Sequence, residues 1–149
     1  MKIRIDPTSI LNTWKAFVDR PFGKQLVWLG GNVEIISRAR IEIEAMRLMV
    51  LKAAKAMDVL GNREARIWVH MVKAMIPEQV CKIIDQAIQM HGALGVSQHT
   101  PLAKMYAQQR TLRLADGPDE VHRASLAKLE FSKHLLLQRE VEMPIPRGS

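Results

Sequence analysis

Between Val33 and Leu60, apolar side chains return at steps of three and four residues: Ile36, Ala39, Ile43, Met46, Val50, Ala53, Met57 and Leu60. Glu34, Arg38, Glu42, Lys52 and Lys55 stand among the intervening positions. That period puts the apolar set on one side of a 3.6-residue turn and predicts an amphipathic helix. Its length is about 40 Å at ~1.5 Å per residue, and Gly61 is expected to stop it. A second apolar series, Ile67, Val69, Met71, Val72, Met75, Ile76, Val80, Ile83, Ile84, Ala87 and Ile88, predicts a helix from about Arg63 to about His91. Pro77 lies inside it. A proline removes one backbone donor and crowds the preceding turn, so a kink or break is expected near Ala74 to Ile76. Gly92 then stands where a left-handed closing residue belongs.

Thr100-Pro101 reads as N-cap and first helical residue, opening a helix through Leu102, Met105, Tyr106, Gln109 and Leu112 to about Leu114. Asp116-Gly117-Pro118-Asp119 breaks the pattern. The last helix is expected from near Pro118, with Val121, Ala124, Leu126, Ala127, Leu129, Phe131 and Leu135 to Leu137, fading before Pro144 and Pro146. Upstream, residues 1–21 read as a lead-in and a short helix, begun by Pro7, Thr8 and Ser9 and ended before Pro21. Gly30-Gly31-Asn32 breaks the chain once more unless a helix runs through them, and Asn32 can act as an N-cap. The expected fold is all-α, an up-down bundle of about four main helices over residues 22–140, followed by a flexible tail over 141–149. Short connections force neighbouring helices to run in opposite directions.

Composition agrees with one helical domain. The 149 residues are 48% hydrophobic and only 5% aromatic, and the abundant Ala, Leu, Met, Lys, Arg and Glu lose little side-chain freedom in a helix. The net charge of +7 would attract phosphates. The basic residues are interspersed with acids, however, and no block of them resembles a nucleic-acid-binding arm; a nucleic-acid partner rests on net charge alone and is not expected. Cys81 is the only cysteine, which rules out an internal disulfide and a cysteine metal cluster. His70, His91, His99, His122 and His134 show no metal-ligand spacing, so no metal is expected. The start of the chain lacks the apolar run of a signal peptide, and no stretch of ~18 apolar residues occurs. A soluble intracellular protein without a membrane span follows, cytoplasmic in a bacterium and mitochondrial or peroxisomal in a eukaryote.

Candidate chemistry gathers between Gln89 and Arg123, where two glycine-marked turns flank a short helix. Gly92 and Gly95 could let backbone approach a phosphate, with helix N-terminal amides near Thr100 close by; equally, they could only end a helix. Asp116, ahead of a glycine in a turn between helices, is a candidate acid or base. The competing reading is that Asp116 or Asp119 caps the last helix.

Gln89-Met90-His91-Gly92-Ala93-Leu94-Gly95-Val96 resembles the Gln-x-x-Gly-Gly-x-Gly turn of acyl-CoA dehydrogenases, with Ala93 at its second glycine. Arg113 to Arg123 is similar to the catalytic loop and final-helix start of that family, and Pro101 to Tyr106 to the helix leading there. With a weaker match at Phe22-Gly23-Lys24-Gln25-Leu26, the resemblance covers roughly residues 22–135. It corresponds to the family's C-terminal helical domain, without the N-terminal helical and middle β domains that supply much of the flavin and acyl-chain sites.

The resemblance implies an FAD-dependent oxidoreductase that removes the α and β hydrogens of an acyl-CoA thioester. It places the base, usually glutamate, on Asp116, and an aspartate there resembles the branch acting on longer or hydroxylated chains. By the same carry-over Gln89, Gly92 and Ala93 lie at FAD, often that of a neighbouring subunit. Pro118, Asp119 and Glu120 take flavin-contacting positions, and Gly117 abuts the acyl thioester. Arg20 is near the arginine that precedes Phe-Gly-Lys, although Asp19 holds the expected place and Leu29-Gly30 replace a polar pair. A homodimer or homotetramer is implied; the electron acceptor is not specified. The alternative is a helical oligomerisation module that has kept the fold and lost the reaction.

Overall fold

A computed structural model describes residue 28 and residues 30–142, with side chains to residue 136. The expectations for the lead-in and short helix, Arg20, Leu29 and the tail beyond 142 lie outside the described residues. Helical structure runs Asn32–His91, then a 3-10 turn Gly92–Val96, a helix Leu102–Leu112 and a helix Asp119–Glu142. Among the described residues there is no strand.

Gly61 divides the long segment. Its dihedrals, φ 77° and ψ 171°, are the only non-helical pair inside Asn32–His91 and belong to a region that glycine alone enters readily. We call the arms α1 (32–60) and α2 (62–91). They fold back on one another: the Lys52 ammonium stands 5.1 Å from the Trp68 ring centre, whereas in one straight helix these residues would be about 24 Å apart. Buried Ala53, Ala56 and Ala65 let the arms approach closely near the reversal. Further along, Ala39, Ile43 and Met46 of α1 share one core with Ile76, Val80, Ile83, Ile84 and Ala87 of α2.

The helix Leu102–Leu112 (α3) adds fully buried Leu102 to that core, with Met105 and Tyr106 partly covered against it. The helix Asp119–Glu142 (α4) packs on α2 as well. An all-α, up-down bundle results, as the stripes predict.

Three local expectations are corrected. No break occurs near Ala74 to Ile76: the helix passes Pro77 in helical dihedrals. Proline withholds an N–H only from the carbonyl one turn back, and Pro77 is buried among core residues, so packing outweighs the local cost. Thr100 does not cap α3. Its hydroxyl donates to the Leu94 carbonyl at 3.2 Å, and Pro101 takes the cap position. Likewise Gly31, not Asn32, caps α1, accepting from the Ile35 amide at 3.1 Å.

Gly95 shows why the first glycine turn is glycine-rich. A Cβ there would lie 2.6 Å from the Ile88 carbonyl oxygen and 2.9 Å from the Ile88 Cα, and backbone cannot yield as a side-chain tip can. Gly95→Ala is expected to destabilise the fold by about 2 kcal/mol, as overpacking does, lowering the thermal midpoint by about 6 °C. Thermal denaturation followed by circular dichroism checks this.

Candidate functional site

The second turn, between α3 and α4, is held by three anchors, Lys73, His122 and the Arg113–Asp119 pair. α3 ends at Leu112 instead of continuing to Leu114 because other donors take its last carbonyls. Lys73, on α2, donates from its amine to the Leu112 carbonyl at 2.5 Å and the Ala115 carbonyl at 2.7 Å. A cation at a helix C-terminus satisfies orphan acceptors and meets the negative end of the helix dipole. The chain tightens there, with the Leu114 and Ala115 amides both donating to Thr111.

Asp116 follows with φ +56°, the only non-glycine residue with positive φ among the described residues. Aspartate tolerates this conformation better than most residues. Its backbone carbonyl accepts from His122 Nε2 at 3.1 Å, and His122 Nδ1 stands 3.0 Å from His70 Nδ1. The Asp116 side chain is exposed, and none of its hydrogen bonds or ion pairs involves the carboxylate among the described residues. Held at its main chain and open at its side chain, such a group can accept a proton from a ligand that reaches it. Gly117, at φ +99°, keeps the next position bare; a Cβ would stand 3.2 Å from His122 Nε2.

Asp119 locks the far side of the turn. It is 3% exposed, accepts from Arg113 Nε at 2.6 Å, and its amide donates to the Arg113 carbonyl at 3.3 Å. Its hydrogen bond holds the Arg113 guanidinium still further above its ordinary pKa. Arg123 lies 3.9 Å from the same carboxylate and 2.7 Å from Glu78, which also takes Lys82 at 2.8 Å. The hydrogen bond from Lys82 holds Glu78 below the usual carboxylate range. A charge ladder thus ties the start of α4 to the middle of α2. Pro118 and Glu120 remain exposed beside it.

The first turn offers different surfaces. Gln89, Gly92 and Ala93 are exposed; Gly92 has φ 57° and ψ −140°, its amide donates to the Gln89 carbonyl, and nothing lies within 4 Å of where a Cβ would stand. The His91 ring donates from Nδ1 to the Ala87 carbonyl at 2.7 Å. Gly95 is consumed by its contact with Ile88, so close approach at that position serves the fold. An amide side chain beside small, uncovered backbone fits an edge that meets the phosphates or ring of a dinucleotide.

The two turns are not brought together within one chain. They stand at opposite ends of α3, whose 11 residues span about 16 Å. Asp116, Gly117, Pro118 and Glu120 form one open edge; Gln89, Gly92 and Ala93 form another. Asp119, expected at a flavin, has its carboxylate buried against Arg113 and braces the turn. Lys73, His70, His122 and Arg113 are the site residues that sequence reasoning missed. Their only signal was that polar residues sit within otherwise apolar helical runs. Burial, the repulsion of His122 and the Arg66 charge together lower the His70 pKa below 6.5. Burial raises that of the Cys81 thiol, leaving it poorly nucleophilic.

Residues 16–130 match the sequence profile described as acyl-CoA dehydrogenase, C-terminal domain. Acyl-CoA dehydrogenase family member 11 of Rattus norvegicus is 54% identical over 110 residues, covering 74% of this chain and 14% of that protein. A solved structure from Mycobacterium abscessus that carries the acyl-CoA dehydrogenase name is 45% identical, with a TM-score of 0.80 over 85% of this chain and 31% of its own. Butyryl-CoA dehydrogenase from Megasphaera elsdenii, at 20% identity and a TM-score of 0.74, shares the fold; the match covers 83% of this chain and 32% of that one. The chain therefore spans less than a third of the length of these relatives.

Proposed function

The chain belongs to the acyl-CoA dehydrogenase family, matching its C-terminal helical domain, and on that premise we propose that Asp116 is the base that takes the α-proton of an acyl-CoA thioester. The observation that carries this reading is the Asp116 turn itself: an exposed carboxylate on a main chain held by Lys73, His122 and the Arg113–Asp119 pair. Gly117 would abut the thioester through its main chain, the place of a Cβ being taken up by His122.

FAD, when bound, supplies the acceptor for the β-hydrogen leaving as hydride. Pro118 and Glu120 would meet it on the Asp116 edge; Gln89, Gly92 and Ala93 would meet the dinucleotide of a neighbouring copy. The separation of the two edges along α3 supports that division. In the step assigned to this chain, the α C–H bond breaks, its proton passes to the Asp116 carboxylate, and its electron pair moves into the bond to the β-carbon as the β-hydride departs. The shorter reach of aspartate, one methylene less than glutamate, requires the α-carbon to sit closer to the turn.

A homodimer or homotetramer is part of this reading. Ile41, Leu48, Leu51, Val59 and Leu60 of α1 and Phe131, Leu135 and Leu136 of α4 are all more than half exposed, and apolar groupings of this kind mark association surfaces. The same surfaces favour a second reading, a helical oligomerisation module without the reaction.

Acyl-CoA added anaerobically to the chain supplied with FAD separates the two readings. Bleaching of the visible flavin absorbance is expected from an active site. Bound FAD whose spectrum acyl-CoA leaves unchanged would assign the module.

A further inference from the structure

We propose that His122 is a positioning residue for Asp116, holding its backbone carbonyl through Nε2–H, and that His70 fixes the His122 tautomer that makes this bond possible. The assignment of Asp116 as the base rests on the function proposed above; the hydrogen-bonded device does not. The Asp116 carbonyl can only accept a hydrogen bond. At 3.1 Å from the Asp116 oxygen, His122 Nε2 must carry the proton. In a neutral imidazole Nδ1 is then a bare acceptor. It lies 3.0 Å from His70 Nδ1, so His70 must donate from Nδ1 and leave its own Nε2 bare, the less common tautomer of free histidine in water.

The ring arrangement agrees with an N–H···N bond: the centroids are 5.2 Å apart and the planes meet at 50°, so the rings meet at their edges and do not stack. The relay therefore runs from α2 through the first turn of α4 to the main chain of the one non-glycine residue held at positive φ among the described residues. Lys73 secures the Ala115 carbonyl one residue earlier, which leaves the Asp116 carbonyl as the link nearest the carboxylate. Gly117 belongs to the same device, since a side chain there would press on His122 Nε2.

Long-range proton–nitrogen correlation spectra of the 15N-labelled chain, at a pH where the rings are neutral, test the proposal without flavin or substrate. The expected result is Nε2–H for His122 and Nδ1–H for His70. His122→Phe should move the Asp116 and Gly117 amide signals and return His70 to the Nε2–H tautomer; His122→Gln, whose amide can donate to the carbonyl, should restore part of the amide pattern. His70→Phe keeps the His122 ring but removes its Nδ1 partner, and should lower the Nε2–H population of His122 and weaken the bond to the Asp116 carbonyl with it. A wild-type His70 in the Nε2–H form, or Asp116 and Gly117 amides that ignore His122→Phe, would overturn it. In flavin reduction by acyl-CoA, His122→Phe should lower kcat by up to about 10²-fold with KM little changed, and His122→Gln should recover part of it. If Asp116→Asn leaves that reaction intact, the proposed function fails while the tautomer assignment stands on the spectra.

Discussion

Asp116→Asn is expected to lower kcat for acyl-CoA-dependent flavin reduction by about 10²- to 10⁴-fold, the usual contribution of a positioned general base, with FAD affinity unchanged. Asparagine is nearly the same size as aspartate and tolerates positive φ as well, so the turn and its anchors at Lys73, His122 and Arg113 should persist. What changes is the chemistry of two atoms. A carboxylate accepts a proton; a carboxamide does not at any working pH. Because the proton moves only in the transition state, kcat and kcat/KM should fall together. Steady-state kinetics of the variant beside the wild type, each supplied with FAD, decide the matter. Activity within about 2-fold of wild type, far inside the range for a lost general base, would remove Asp116 from that role.

Asp119→Ala should have the largest effect on stability, a loss of about 3 kcal/mol, at the lower end of the range for breaking a buried ion pair by removing one partner. Asp119 is 3% exposed. Its removal strands Arg113, whose side chain is 27% exposed and can turn partly toward water, which argues for the lower end. Arg123 loses a weaker second contact at 3.9 Å but keeps Glu78. For a chain of this length the thermal midpoint should drop by about 10 °C, and the turn should loosen with it. A drop below about 2 °C, less than 1 kcal/mol, would mean that Asp119 does not brace the start of α4.

Much of the fold was legible because its determinants are local and periodic. Ala39, Ile43 and Met46 are buried as their spacing requires, and Gly61 reverses the chain where the first stripe stops. Val50, Met57 and Leu60 belong to the same stripe yet remain exposed. The stripe is wide enough for two neighbours, while the core of α1 is formed mainly against α2. Pro77 does not break the helix because the burial of its neighbours Ile76, Val80 and Ile83 outweighs proline's local cost. At the site, the Gly-Pro breaker disclosed a turn and the family resemblance marked Asp116. The groups that hold the turn were hidden: Lys73 lies 42 positions from Ala115 and His70 lies 52 from His122, and no local pattern links residues so far apart. The brace at Asp119 was hidden as well, because sequence does not show that Arg113, six positions back, reaches its carboxylate.

The central claim is that this chain carries two half-sites at opposite ends of α3, completed for FAD where copies meet. Its most direct test is a titration of the purified chain with FAD, read by flavin fluorescence and by sedimentation at the flavin's visible absorbance. The account predicts that flavin absorbance sediments with a dimer or larger species, and that Gln89→Ala weakens it without dissolving the assembly. Flavin bound to a monomer, or an oligomer that leaves FAD free at all concentrations, would contradict it.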